Sequence, residues 1–110
     1  MIKVYVAGPY THGDTAENVK IAINIADRLL EHGCSPFVPH LFHFWHLMHE
    51  HDYDTWMNLG TEWLKQCDVV LRLPGFSPGA DKEVDIARQY AKHVYFSIDE
   101  LIHQVKLSTS

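Results

Sequence analysis

The segment that decides the fold reads VVLRLPGFSPGADKE, from Val69 to Glu83. The apolar run 69–73 predicts a buried strand, the Pro- and Gly-rich stretch 74–79 predicts a turn, and a helix is expected to begin at about Ala80. In parallel α/β sheets, ligands bind beyond the carboxyl ends of the strands, where the amino ends of helices offer free N–H groups. This order of elements therefore predicts a parallel sheet with a ligand site at the turn.

The turn delivers three candidate functional groups to this site. Ser77 supplies a hydroxyl, Gly79 lets the backbone approach a ligand closely, and Glu83 supplies a carboxylate. Helical spacing predicts that the face packed on the sheet consists of Ala80, Val84, Ala87 and Ala91. Glu83 lies at the margin of that face, so we expect partial burial to raise its pKa and make the carboxylate reactive. Asp81 and Asp85 are expected to be solvated.

The rest of the chain alternates strands with helices. Short apolar runs bounded by Gly or Pro predict strands at 2–7, 36–38, 69–73 and 94–97. Helical periodicity predicts helices at 15–32, 53–66, 80–92 and 98–106, whereas residues 40–52 fit neither pattern. We therefore predict a single Rossmann-like or flavodoxin-like three-layer α/β domain over residues 1–106, followed by a disordered tail at 107–110. Its parallel sheet has four or five strands in the order 2-1-3-4.

This strand order makes the first and third strands neighbours, so their carboxyl ends meet at one cleft. The first strand and its loop then bring Tyr5, Gly8, Pro9 and Tyr10 to face the turn after the third strand. A Tyr5 hydroxyl in the cleft can hold the Glu83 carboxylate, whereas a Tyr5 in the core would bond the backbone instead; the sequence leaves both open. Gly8 is expected either to take a positive φ or to let a ligand approach.

Composition narrows the class of function. The 110 residues carry a formal net charge of −5 and no basic run, which argues against binding a nucleic-acid polymer but not against a small anionic ligand. The sequence has no signal-peptide pattern and no long apolar span, so we expect no membrane contact. Cys34 and Cys67 are separated cysteines in a chain with its own core, which favours a reduced, cytoplasmic setting.

Four parts of the chain carry a resemblance to a known family. They are VYVAGP at 4–9, Asn18, WLKQCDVV at 63–70 and SPGADKE at 77–83. Together, over residues 2 to about 97, they resemble the nucleoside 2-deoxyribosyltransferase superfamily, which includes the 2′-deoxynucleoside 5′-phosphate N-hydrolases. The resemblance implies a Rossmann-like sheet, a small-molecule nucleoside or nucleotide as substrate, and no metal or redox cofactor.

The resemblance also implies roles for individual residues. Glu83 would be the nucleophile that attacks the anomeric carbon of a deoxyribosyl group, with Tyr5 orienting it. Ser77 matches the serine that binds the 5′-phosphate in the hydrolases, and Gly8 and Gly79 match glycines that line the sugar site. The implied activity is N-glycosidic bond cleavage or deoxyribosyl transfer on a 2′-deoxynucleoside or its 5′-monophosphate. The alternative is a nucleotide-binding or sensing module of the same fold with little turnover.

One position departs from the family pattern. Eight residues before Asp68, where the family often has an Asp that reaches the departing base, this chain has Gly60. Loss of that acid would weaken protonation of the leaving base, which favours the binding-module alternative. We expect Gly60→Asp to be tolerated in the helix and to speed base release.

Two further regions offer candidates for the site. His40 and His43 are expected to line the base pocket, because the second strand ends in the same crevice. The His-rich segment 40–51 has a three-residue spacing that would suit Zn or Ni, but its interleaved apolar residues favour a lid or a subunit contact, so we predict no metal site. The aromatic stretch 41–48, with the family habit of completing sites across subunits, predicts a homodimer or higher homo-oligomer.

Arg72 is a cation within the apolar run of the third strand. Arg is rarely buried without a partner, so this side chain would either bind a substrate phosphate or make a structural ion pair, for example with Asp68 or Asp85. The sequence does not decide between these roles.

Overall fold

The computed structural model describes residues 1–109. Within them, one sheet holds four parallel strands in the order β2-β1-β3-β4, as predicted. The strands are β1 (Lys3–Ala7), β2 (Ser35–Phe37), β3 (Val69–Arg72) and β4 (His93–Tyr95). The helices are α1 (Thr15–Glu31), α2 (Phe42–Met48), α3 (Tyr53–Gln66), α4 (Pro78–Gln89) and α5 (Ile98–Thr109).

The register of the sheet places two loops side by side. Strand β1 pairs with β3 from Val4 opposite Val69 to Ala7 opposite Arg72. Both strands therefore end at the same edge, where residues 8–10 and 73–77 leave the sheet. Parallel strands joined by helical crossovers produce this arrangement, and it is where ligands bind in open α/β sheets.

Alternation along β1 divides the core into two layers. Val4 and Val6 pack in one apolar cluster that includes Leu29 of α1 and Leu101 of α5. Tyr5 and Ala7 point the other way, into a cluster that includes residues of α3 and α4. The predicted three-layer α/β domain is thus confirmed, and it is Tyr5, rather than Val4 or Val6, that faces the helices carrying the candidate site.

Side-chain capping fixes where the helices begin. Asp14 accepts a hydrogen bond from the Glu17 N–H at 3.0 Å and starts α1 as expected. Ser77 accepts one from the Ala80 N–H at 3.1 Å, and with Pro78 in the first turn it starts α4 two residues earlier than predicted. At the other end, α4 stops at Gln89, and Ala91 is exposed with φ of 57°. The prediction that Ala91 belongs to the buried helix face is therefore wrong.

The structure assigns the segment 40–52, which fitted neither sequence pattern, and extends the last predicted helix. The unassigned segment forms a 3₁₀ turn, Pro39–Leu41, followed by α2. Helix α5 extends to Thr109, so the expected tail at 107–110 begins inside this helix, and Ser110 lies outside the described residues. Cys34 and Cys67 are buried and not disulfide-bonded. No helix among residues 1–109 combines the length and apolar character that crossing a membrane requires.

Candidate active site

A cavity of about 680 Å³ opens at the carboxyl edge of the sheet. Its walls come from the loop after β1, the 3₁₀ turn, α2 and the residues after it, α3, and the first turns of α4. A concave site of this size suits a small organic ligand.

Tyr5 and Glu83 form a buried pair in this cavity. The Tyr5 hydroxyl donates a hydrogen bond to Oε2 of Glu83, linking β1 to α4. Tyr5 is fully buried and Glu83 is only 8% exposed, yet both line the cavity. Of the two positions open for Tyr5, the structure shows the one in which its hydroxyl holds the carboxylate.

Burial sets the protonation states of this pair. It raises the pKa of Glu83 to about 7, although the hydrogen bond from Tyr5 and the positive charge of Arg72 partly oppose the rise. Burial, and then the negative charge of Glu83, raise the pKa of Tyr5 well above 10. Tyr5 therefore remains a hydrogen-bond donor, while Glu83 exchanges between acid and carboxylate near neutral pH. Such a carboxyl group suits nucleophilic or acid–base chemistry.

Gly60 lies directly against the pair. A Cβ atom at this position would be 2.8 Å from the Tyr5 hydroxyl oxygen and 3.8 Å from Oε2 of Glu83. Since real Cβ atoms do not approach an oxygen that closely, any side chain here must displace Tyr5, which is fully buried. The prediction that Gly60→Asp is tolerated is therefore wrong, because the space of that side chain is already occupied by the Tyr5 hydroxyl.

Gly8 and Gly79 line the cavity and are both held in close contact. A Cβ at Gly8 would be 2.9 Å from Cβ of Leu73, so glycine allows the loops after β1 and β3 to touch. A Cβ at Gly79 would be 3.2 Å from the hydroxyl of Tyr53. Close approach, rather than positive φ, is the reason for glycine at Gly8.

Ser77 is buried, lines the cavity and caps α4. Its hydroxyl oxygen accepts from the Ala80 N–H, which leaves the hydroxyl proton able to donate to a ligand. The same side chain can therefore serve both the helix and a bound anion.

Arg72 does not line the cavity. Its guanidinium pairs with Asp81 at 2.9 Å and donates to the carbonyl oxygens of Leu73 and Gly75, the second at 2.9 Å. The ion-pair alternative is thus the one that the structure shows, with Asp81 as the partner. Asp68 instead accepts a hydrogen bond from the Lys3 N–H. Arg72 therefore holds the shape of the 73–77 loop, and its role in binding a substrate stays a prediction.

The loop after β1 contacts the 3₁₀ turn and α2. His40 is buried in the cavity wall, and its Nε2 donates to the Pro9 carbonyl at 3.0 Å. Burial lowers the pKa of His40, so the ring is neutral at neutral pH. The Tyr10 hydroxyl lines the cavity and bonds Nδ1 of His43 at 2.7 Å. His43 and Pro9 do not line the cavity. They hold Tyr10 and His40, respectively, through these two hydrogen bonds.

One face of α3 contributes lining residues that we did not predict from the sequence. Tyr53, Trp56 and Met57 reach the cavity, and Gly60 follows at the same helical spacing. Burial, and then the negative charge of Glu83, raise the pKa of the Tyr53 hydroxyl. The spacing of residues 53, 56, 57 and 60 indicates that they share one face of α3. It does not indicate that this face is the one that meets the sheet.

Helices α2 and α3 together form an aromatic wall, which we define as Phe42 and His46 of α2 and Trp56 of α3. The rings of Phe42 and Trp56 stack with their centroids 5.4 Å apart, and the Trp56 indole N–H donates to Nδ1 of His46 at 2.8 Å. Within residues 1–109, no three His, Cys, Asp or Glu side chains come together to hold a metal ion. In the aromatic wall, His46 makes a ring contact with Trp56 and accepts its hydrogen bond.

The chain belongs to the family described as domain of unknown function DUF7768, whose model matches residues 2–97. None of the curated proteins compared with the chain matches it. Among solved structures, the chain is similar to a 2-deoxyribosyltransferase from Bacillus psychrosaccharolyticus, with 19% identity and a TM-score of 0.60 over 84% of this chain and 69% of that one. The 2-deoxyribosyltransferase from Leishmania mexicana has 17% identity and a TM-score of 0.62, over 86% of this chain and 62% of the other.

A third similar structure is the CMP N-glycosidase BcmB from Clostridium botulinum. It shares 20% identity with a TM-score of 0.58, over 94% of this chain and 82% of that chain. These likenesses establish that the chain shares the fold of these three proteins.

Proposed function

We propose that this protein cleaves the N-glycosidic bond of a 2′-deoxynucleoside or of its 5′-monophosphate, with Glu83 as the nucleophile. The observation that carries the proposal is the buried Tyr5–Glu83 pair in the cavity, with a Glu83 pKa of about 7. A carboxylate held by a neutral donor can attack C1′ while the C1′–N bond breaks and its electron pair leaves with the base, which then takes up a proton. Water, or a second base, attacks C1′ and releases Glu83.

The rest of the cavity suits this substrate class. Gly8 and Gly79, which the resemblance assigns to the sugar site, both line the cavity that holds the pair. The Ser77 hydroxyl at the start of α4 can donate to an anionic or hydroxyl group, which supports a substrate with a 5′-phosphate or 5′-hydroxyl. The similar solved structures, two 2-deoxyribosyltransferases and a CMP N-glycosidase, act on the same kind of bond, which supports the reaction class.

The test is release of free base. The protein is incubated with the four common 2′-deoxynucleosides and their 5′-monophosphates, and the products are separated by chromatography. We expect base release from at least one of these compounds by the parent and none by Glu83→Gln. Adding a second base distinguishes transfer, which forms a new nucleoside, from hydrolysis. Tight binding of a nucleotide by the parent without base release would instead support the binding-module alternative.

Two finer predictions remain alongside this proposal. The first is a homodimer or higher homo-oligomer, supported by the large apolar side chains that α2 leaves exposed, Phe44, Trp45, Leu47 and Met48. Light scattering during size-exclusion chromatography gives the molar mass and tests it directly. The second is a cytoplasmic location, which imaging of a tagged chain in its native host tests.

A further inference from the structure

We propose that His46 recognises the nucleobase, donating a hydrogen bond from Nε2 to an acceptor atom on the base, with Trp56 as the positioning residue that fixes its tautomer. This inference rests on the proposed function, because it takes the ligand to be a nucleoside or nucleotide.

The tautomer of His46 follows from its neighbours. The Trp56 indole N–H donates to Nδ1 of His46 at 2.8 Å, and the His51 backbone N–H points at the same atom at 3.3 Å. Both groups can only donate, so Nδ1 of His46 acts as an acceptor and carries no proton. The proton of the neutral ring is therefore on Nε2, and His46 offers a hydrogen-bond donor in the wall of the cavity.

The aromatic wall links this donor to the reacting carboxylate. Its Phe42 end lies beside the Tyr5–Glu83 pair, because a Cβ at Gly60 would be 3.8 Å from Glu83 Oε2 and 4.0 Å from Phe42 Cε2. The stacked Phe42 and Trp56 rings then lead to His46. A sugar bound at Glu83 can thus extend its base along apolar ring surface and meet the Nε2–H of His46 at the far end. Flat apolar rings with one fixed donor are what a planar base with ring nitrogen or carbonyl acceptors requires.

Two amide variants of different side-chain length separate this role of His46 from simple packing. The amide of His46→Gln can place a donor near the position of Nε2, whereas His46→Asn can satisfy Trp56 but does not reach as far. His49→Gln is the matched control, since His49 is exposed and does not line the cavity. All variants are made in a Glu83→Gln background, so that no ligand is consumed, and binding is measured by calorimetry. The probes are the four 2′-deoxynucleoside 5′-monophosphates and 2-deoxyribose 5-phosphate, which has no base.

We expect His46→Asn to lose roughly three- to tenfold in affinity for at least one nucleotide and nothing for 2-deoxyribose 5-phosphate. His46→Gln and His49→Gln should bind within about twofold of the background protein. Equal losses with and without a base, no loss for any nucleotide, or no nucleotide binding at all would overturn the proposal. Because these are binding measurements, they stand even if the parent releases no base.

The tautomer is tested separately by NMR. Long-range ¹H–¹⁵N correlation spectra of the free protein should show the His46 ring protonated on Nε2, with the signal assigned by its loss in His46→Gln. Trp56→Phe keeps an aromatic ring but removes the N–H, so we expect it to let the Nδ1–H tautomer of His46 appear. A parent protein with His46 protonated on Nδ1 would contradict the proposal.

Discussion

Replacing Glu83 by Gln should stabilise the protein at alkaline pH, because its buried carboxylate opposes folding. Burial raises the pKa of Glu83 from 4.5 to about 7. Between these pH values the folded protein binds more protons at this site than the unfolded chain does. The stability that the protonated acid contributes is therefore complete below about pH 4.5 and is lost as the pH rises through about 7. Gln keeps the shape of the protonated acid and does not titrate.

The size of this effect follows from the shift. A difference of 2.5 units (7 minus 4.5) corresponds to about 3 kcal/mol once Glu83 is fully ionised, and to about 1 kcal/mol at pH 5. We expect the gain in free energy of unfolding for Glu83→Gln over the parent, measured by urea denaturation, to be about 2 kcal/mol larger at pH 8 than at pH 5. Glu100→Gln, which removes an exposed carboxylate, should change little at either pH.

An equal gain for Glu83→Gln at pH 5 and pH 8 would refute the reasoning. It would mean that Glu83 is as easily ionised in the folded protein as in the unfolded chain. A pH-dependent difference of the same size in Glu100→Gln would likewise show that overall charge, rather than burial at the site, is responsible.

Three further predictions concern the neighbours of Glu83. Tyr5→Phe removes a hydrogen bond that lowers the Glu83 pKa, so the ascending limb of kcat/KM against pH should move to higher pH. A rise of about one unit would cost about fivefold in kcat/KM at pH 7, and an unmoved limb would contradict the link. Gly60→Ala should lower the free energy of unfolding by about 1–3 kcal/mol through overpacking, as measured by urea denaturation. The loss should be smaller in a Tyr5→Phe background, because that variant lacks the hydroxyl that the new methyl group would meet. An equal loss in both backgrounds would refute the contact. Ser77→Ala should weaken cleavage of 5′-monophosphates more than cleavage of nucleosides, measured as the ratio of their kcat/KM values. The control Asp14→Ala removes the cap of α1 instead and should leave that ratio unchanged. Equal loss on both substrates in Ser77→Ala would assign Ser77 to capping alone.

Local sequence patterns were sufficient for most of the fold. Helix α3 begins at Tyr53 and ends at Gln66, as predicted from its apolar spacing, because Asp52 caps it and Asp68 turns the chain into β3. The strand order followed from the rules for parallel sheets: crossover connections are right-handed, and strands that follow one another in sequence tend to be neighbours in the sheet. The same reasoning placed Tyr5 and Glu83 in one cleft, since both follow from where β1 and β3 end.

The parts of the site that escaped prediction depend on how helices pack. Which face of α3 meets the sheet decides that Gly60 touches Tyr5, a contact between positions 55 residues apart that no local pattern encodes. The partner of Arg72 depends on the path of the 73–77 loop, which turns its carbonyl oxygens inward and selects Asp81. The tautomer proposed for His46 required its Trp56 contact to be known, because spacing alone does not specify a tautomer.

The central claim is that Glu83 forms a covalent bond with the sugar of a nucleoside or nucleotide. The most direct measurement is mass spectrometry of the protein quenched in acid during turnover of a cleaved substrate, followed by peptide mapping. We expect a deoxyribosyl adduct, with its 5′-phosphate where the substrate has one, on the peptide containing Glu83, and neither adduct nor base release in Glu83→Gln. Base release by the parent that persists in Glu83→Gln, with no adduct on that peptide, would contradict the claim.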